Sequence, residues 1–158
     1  MISIKKSLEH MAWSNQEIFK AINELPEDIY RLRAAEGEWP VGRLLTHLLG
    51  SGEWFRYCLT SEKWTDLTSI RSHKILIEQA PYLAQLDQLL IEQSDLSDEE
   101  LTVEGEEGPI KTTRSMILSQ APMHAAEHKG QIATILKIHG FNLDLDKYDL
   151  WSFESRAK

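Results

Sequence analysis

A single cysteine, Cys58, stands among the 158 residues. One thiol forms no intrachain disulfide and builds no thiolate metal cluster, so a disulfide scaffold is excluded and the chain suits a reducing compartment. Long apolar runs are missing too. No window approaches the ~18 consecutive apolar residues that span a bilayer, and the opening MISIKKSLEH lacks the uninterrupted apolar stretch of a secretory signal. The expected compartment is the cytoplasm, with no membrane partner. Clustered positive charge is equally scarce: the longest basic run is Lys5–Lys6, against a formal net charge of −8. Such a chain repels polyphosphate at long range, which argues against nucleic acid and anionic membranes as partners. No repeat, low-complexity tract or linker divides the sequence, so one domain is expected over residues 1–158.

What is present is helical periodicity. Apolar residues make up 42% of the chain and charged residues 27%, a soluble globular balance. From Ser3 to Leu25, the residues Ile4, Leu8, Met11, Ile18, Ile22 and Leu25 recur at steps of three and four, the mark of an amphipathic helix. Ser3 is the expected N-cap, and Pro26 the stop. A second helix is predicted from Pro40 to Thr60, with Leu44, Leu45, Leu48, Phe55 and Leu59 facing inward and His47 on the flank. A third runs from Ser69 to Gln93 and should kink at Pro81. Between Leu101 and Thr113 the pattern turns β-branched around Gly105–Gly108, which predicts a short hairpin or extended loop. The fourth helix is expected from Thr113 to Gly140, with a kink or restart at Pro122. The tail, FNLDLDKYDLWSFESRAK, is expected to add a helical turn over one end. Together these predict an all-α four-helix bundle with a β-like insertion before the last long helix.

His124 and His128 lie four apart on the inner stripe of the fourth helix, with Ile117, Ala121, Ile132 and Ile135. That spacing stacks two imidazoles on one face. The pair reads two ways: as helix histidines satisfied by backbone or water, or as two ligands converging on one ion, for which neutral imidazole suits zinc, nickel, copper and iron. On the second reading, His47 from a facing helix is the third ligand. Three histidines leave a coordination position open, as catalytic sites do.

The segment HAAEHKGQIATILKIHG resembles the last-helix signature of the DinB/YfiT-like superfamily, with His124, His128, Lys129, Gly130 and Gln131 falling on it in order. EWPVGRLLTHLLGSGEWF is similar to the family's second-helix segment, which carries a ligand histidine, here His47. MAWSNQEIFKAINELP resembles its first helix. The resemblance spans nearly the whole chain. It implies a four-helix bundle holding one divalent ion, zinc or nickel, through His47, His124 and His128. It also implies a thiol S-transferase that takes a low-molecular-weight thiol such as bacillithiol, or else a metal-dependent hydrolase or a non-catalytic metal-binding bundle. Homodimers are common in bundles of this kind. Two departures, Gln120 where many relatives have histidine and Lys129 where arginine is usual, leave the substrate open.

Other residues complete the inventory. Gln131 and Asn15 are placed to orient a ligand or to satisfy the core. Glu53 and Glu127 read either as general bases or as solvated helix carboxylates. His10 and His73 project off the apolar stripes toward the surface, and His139 sits at a helix C-terminus where a cation suits the dipole. Cys58 reads as a buried filler, and Trp13, off the inner stripe, either as rim packing or as a dimer contact.

Overall fold

A computed structural model describes residues 2–105 and 107–156. Within them, the order is α1 (Ile4–Asn23), a 3-10 turn (Glu27–Arg31), α2 (Val41–Thr60), α3 (His73–Gln93), β1 (Glu100–Gly105), β2 (Gly108–Thr113), α4 (Arg114–Ile138), a second 3-10 turn (Leu145–Tyr148) and α5 (Leu150–Ser155). The architecture is mostly helical. Met1, Glu106, Ala157 and Lys158 lie outside the described residues.

Side chains with a free oxygen start three of the four long helices. Ser3, Ser72 and Thr113 accept from the backbone N–H of Lys6, Ile75 and Met116 at 3.2, 3.4 and 3.2 Å, satisfying donors that the helix itself leaves unpaired. The third helix therefore begins at His73, under the Ser72 cap, rather than at Ser69. Pro40 is the N-cap residue of α2 rather than its first helical one. The first helix ends at Asn23, and Pro26 opens the following 3-10 turn. Neither internal proline interrupts its helix: α3 runs through Pro81 and α4 through Pro122. The carbonyl that Pro81 leaves without its helical partner belongs to Ile77, which is exposed, so water can take the missing donor's place. At the far end of α4 Gly140 has φ +84°, the left-handed conformation that closes a helix cheaply only with glycine.

The predicted insertion is an antiparallel hairpin, in register from Glu100 opposite Thr113 to Gly105 opposite Gly108. Helix α1 packs on α3 and α4, and α2 packs on α4 and α3. Their apolar stripes meet in one core, in which Leu8, Ile22, Leu45, Leu49, Ile132 and Leu136 have no exposed surface. The tail adds two short helical segments that lie against α1. Phe153 and Tyr148 cover Trp13, at ring distances of 5.5 and 6.4 Å, and Arg156 sits 5.1 Å from the indole. The off-stripe face of α1 is thus used within the chain.

Two connections converge on Gly42 in the first turn of α2. A Cβ there would stand 2.4 Å from the Ile70 carbonyl oxygen and 3.1 Å from that of Tyr30. Thr46 ties the same corner, donating to the Gly42 carbonyl and accepting from Ile70 N–H, both at 2.8 Å. Because both obstacles are backbone atoms, Gly42→Ala must push the segments apart. It should cost about 2 kcal/mol, read as a lower urea midpoint with unchanged slope; a variant as stable as the parent would show that this close approach is not needed.

Candidate metal centre

The packing of α2 on α4 sets His47 against His124 and His128, the latter two projecting from one face of α4 as their spacing requires. His47 Nε2 lies 3.2 Å from His124 Nε2, and His128 Nε2 lies 3.0 Å from the same atom. One ligand nitrogen from each ring falls within 4.8 Å of the other two. In a tetrahedral zinc site with Zn–N near ~2.05 Å, neighbouring nitrogens stand about 3.3 Å apart, so these separations suit one face of such a site.

Each ring is held from behind. The Nδ1–H of His128 donates to Gln131 Oε1 at 2.8 Å, which leaves the Nε2 lone pair facing inward. Trp39 meets the His47 ring edge-on at 5.0 Å, and Phe55 meets that of His124 at 6.1 Å. Ser51 Oγ donates to the His47 carbonyl at 2.7 Å and lies 3.5 Å from His124 Nε2. Burial, then the charge of neighbouring histidines, pushes His124 down to about 4. Burial first, then His128 and Arg43, lowers His47, with Glu127 acting the other way. Both rings therefore favour the neutral form that binds metal.

Three clefts reach these rings. One of about 460 Å³ is walled by Trp54, Phe55 and Trp64 and touches His47 and His124. A second, of about 640 Å³, touches His128 and includes Trp39, Glu127 and Gln131. A third, of about 1030 Å³, opens from His47 past Trp39. Glu127 and Gln131 are both exposed, so Gln131 approaches His128 from the cleft rather than from the interior.

The other expected residues fall elsewhere. Glu53 has no exposed surface and is neither solvated nor turned toward the histidines. It accepts from Arg56 at 2.6 Å and from the Tyr82 hydroxyl, tying α2 to α3. Burial would raise its pKa, but the hydrogen bonds from Tyr82, Arg56 and Thr65 outweigh that and keep the carboxyl below its ordinary value. His10 and His73 are half-buried rather than free on the surface. His10 Nε2 meets the Tyr148 carbonyl at 2.7 Å, and His73 Nδ1 meets the Tyr30 hydroxyl at 2.8 Å. His139, at the C-cap of α4, is exposed and donates to the Arg33 carbonyl. Cys58 is buried, which pushes its thiol up to about 11 and fits packing rather than nucleophilic chemistry.

Asn15 belongs to a buried polar group absent from the sequence reading. Its Nδ2 donates to Asp87 Oδ2 at 2.9 Å, while Lys129 Nζ donates to Ser14 Oγ at 2.6 Å. Ser14, Asn15, Asp87 and Lys129 are all buried. A cavity of about 20 Å³ is lined by Asn15, Asp87, Ser51 and His124, room for roughly one water, so this group lies directly beneath the histidines. Asp87 was detectable: it falls between Leu83, Leu86 and Leu90 on the inner stripe of α3, where a carboxylate needs a partner.

Comparison with known proteins gives a concordant result. The DinB family model matches residues 1–147. "Protein DinB" of Bacillus subtilis (strain 168) is 24% identical over 164 residues, covering 97% of this chain and 95% of its own length.

Burial raises the Asp87 carboxyl to about 6 from its ordinary 3.8, against the opposing Asn15 hydrogen bond and Lys129 charge. A raised folded-state pKa means that the folded chain binds more protons than the unfolded chain between those values, so this group's contribution falls as pH rises through that window. Its size is on the order of 3 kcal/mol. Asp87→Asn should remove that part of the slope in urea unfolding across the window; a variant that loses stability as steeply as the parent would show that another group carries it.

Proposed function

The chain belongs to the DinB family, and from that premise and the convergence of three imidazoles we propose that it is a metal-dependent S-transferase acting with a low-molecular-weight thiol such as bacillithiol. We read its four long helices as one four-helix bundle domain over residues 1–158, working in the cytoplasm. The observation that carries the proposal is the placement of three Nε2 atoms, 3.0 and 3.2 Å apart, at the meeting of three clefts.

His47, His124 and His128 would hold one divalent ion, zinc or nickel. When bound, that ion supplies the Lewis acidity that brings a thiol to its thiolate near neutral pH. The chain's own residues do the remaining tasks. Gln131, Trp39 and Phe55 keep the three rings in orientation, so little reorganisation is needed when substrates arrive. Glu127, which with Glu38 lines the cleft that also touches His128 and stands one residue before that ring, would take the thiol proton. Trp54, Phe55 and Trp64 offer an aromatic wall beside His47 and His124, suited to an apolar electrophile and to excluding water. The thiol sulfur forms a bond to the electrophilic carbon as the leaving group departs with its electron pair. Adjoining clefts that reach different histidines leave room for two organic partners, which supports transfer over hydrolysis.

The protein reconstituted with zinc or with nickel would be mixed with bacillithiol, glutathione or cysteine and a fluorogenic haloalkane. Thiol-dependent loss of the electrophile is expected, with His128→Ala lowering kcat/KM by at least about 100-fold. Consumption indifferent to added thiol would replace the transferase with a hydrolase. No turnover of any pair by the metal-loaded protein would leave a metal-binding bundle without this chemistry.

A further inference from the structure

The largest of the three clefts is built from positive charge. Arg31, Arg33, Arg43 and Arg71 all line it, with Glu38 as the one carboxylate and His47 at its inner end. These are four of the chain's seven arginines, gathered on a protein whose net charge is −8. All four side chains are exposed, and among the described residues none forms an ion pair. The other three behave differently: Arg56 pairs with Glu53 and Glu62, Arg114 with Glu99, and Arg156 with Glu17. Four like charges in one cleft repel one another unless an anion lies between them.

The fold holds this arrangement in place. The carbonyls of Tyr30 and Ile70 both close on Gly42, so the next residue in each segment, Arg31 and Arg71, is fixed beside the first turn of α2, where Arg43 stands. Pro40 provides no side-chain cap for that 20-residue helix, so the partial positive charge of its amide end adds to that of the arginines. The Arg43 guanidinium rests 4.2 Å from the centre of the Trp39 ring, and the same indole packs against His47. Stacking of this kind orders a guanidinium before any ligand arrives.

We propose that this cleft binds the acidic end of the substrate, a small molecule carrying at least two carboxylate or phosphate groups, and points its reactive end toward His47. Guanidinium forks match either acid group bidentately. A cleft of about 1030 Å³ is of small-molecule size. The orientation toward His47 rests on the transferase reading above; the anion site itself does not.

The test separates the two. Calorimetric titration of metal-stripped protein at low salt, with tricarballylate in one arm and inorganic pyrophosphate in the other, should show saturable binding that weakens at physiological ionic strength. The stronger arm identifies the acid group. Arg43→Gln with Arg71→Gln should weaken binding by at least about tenfold, since each lost charge-assisted hydrogen bond is worth that much, while Arg156→Gln, outside the cleft, should not. In the metal-loaded enzyme, Arg71→Gln should raise KM for an acidic thiol by a larger factor than it lowers kcat. Absence of saturable binding in both arms, or equal binding by parent and double variant, overturns the anion site whether or not the metal reading stands. Intact binding without thiol transfer would leave the anion site and remove only its assignment to that reaction.

Discussion

His47 and His128 each bring an Nε2 atom against Nε2 of His124, at 3.2 and 3.0 Å, and the surrounding structure answers to that crowding. Neutral imidazoles that turn lone pairs toward one another repel. A proton can relieve one pair of nitrogens, but burial and the neighbouring histidines push His124 down to about 4, so protonation is unfavourable near neutral pH. A divalent cation relieves all three at once. The supporting contacts are consistent with that use. Gln131 fixes the His128 tautomer, and aromatic edges hold the other two rings.

Beneath the histidines, the chain buries a second polar layer at evident cost. Asp87 and Lys129 are both nearly without exposed surface, and burial moves their pKa values toward neutrality, to about 6 and about 8. Removing either partner would strand a charge in the core. This layer joins α1, α3 and α4 through Ser14, Asn15, Asp87 and Lys129, while Glu53 joins α2 to α3 through Tyr82. The helices that carry the histidines are therefore set by specific polar contacts as well as by apolar stripes, which have no preferred register of their own. On the other side, the Gly42 corner fixes the cleft wall.

Features that depend on local spacing were legible in the sequence. The i, i+4 pair of His124 and His128, the Ser3 cap, the β-branched hairpin and the four helical stripes all follow from helix or strand periodicity. His47 was legible only as a candidate from a facing helix, strengthened by the family resemblance, because 77 residues separate it from His124 and only the packing of α2 on α4 joins them. The restart considered at Pro122 does not occur, since α4 continues through it, and α3 continues through Pro81, whose orphaned carbonyl lies on an exposed turn. Glu53 read as a surface or catalytic carboxylate because its partner Tyr82 is 29 residues away. The arginine cleft was the least legible. Its members are spread from residue 31 to residue 71 and form no basic run, so the acidic total concealed them until the backbone closed on Gly42.

The central claim is that three histidines from two helices hold one metal ion, and its most direct measurement is metal content by mass spectrometry on protein purified without an affinity tag or chelator. The account predicts close to one equivalent of divalent metal per chain in the parent and its loss in both His124→Ala and His128→Ala. A parent chain that carries none, and takes up none when incubated with zinc and with nickel, would contradict it.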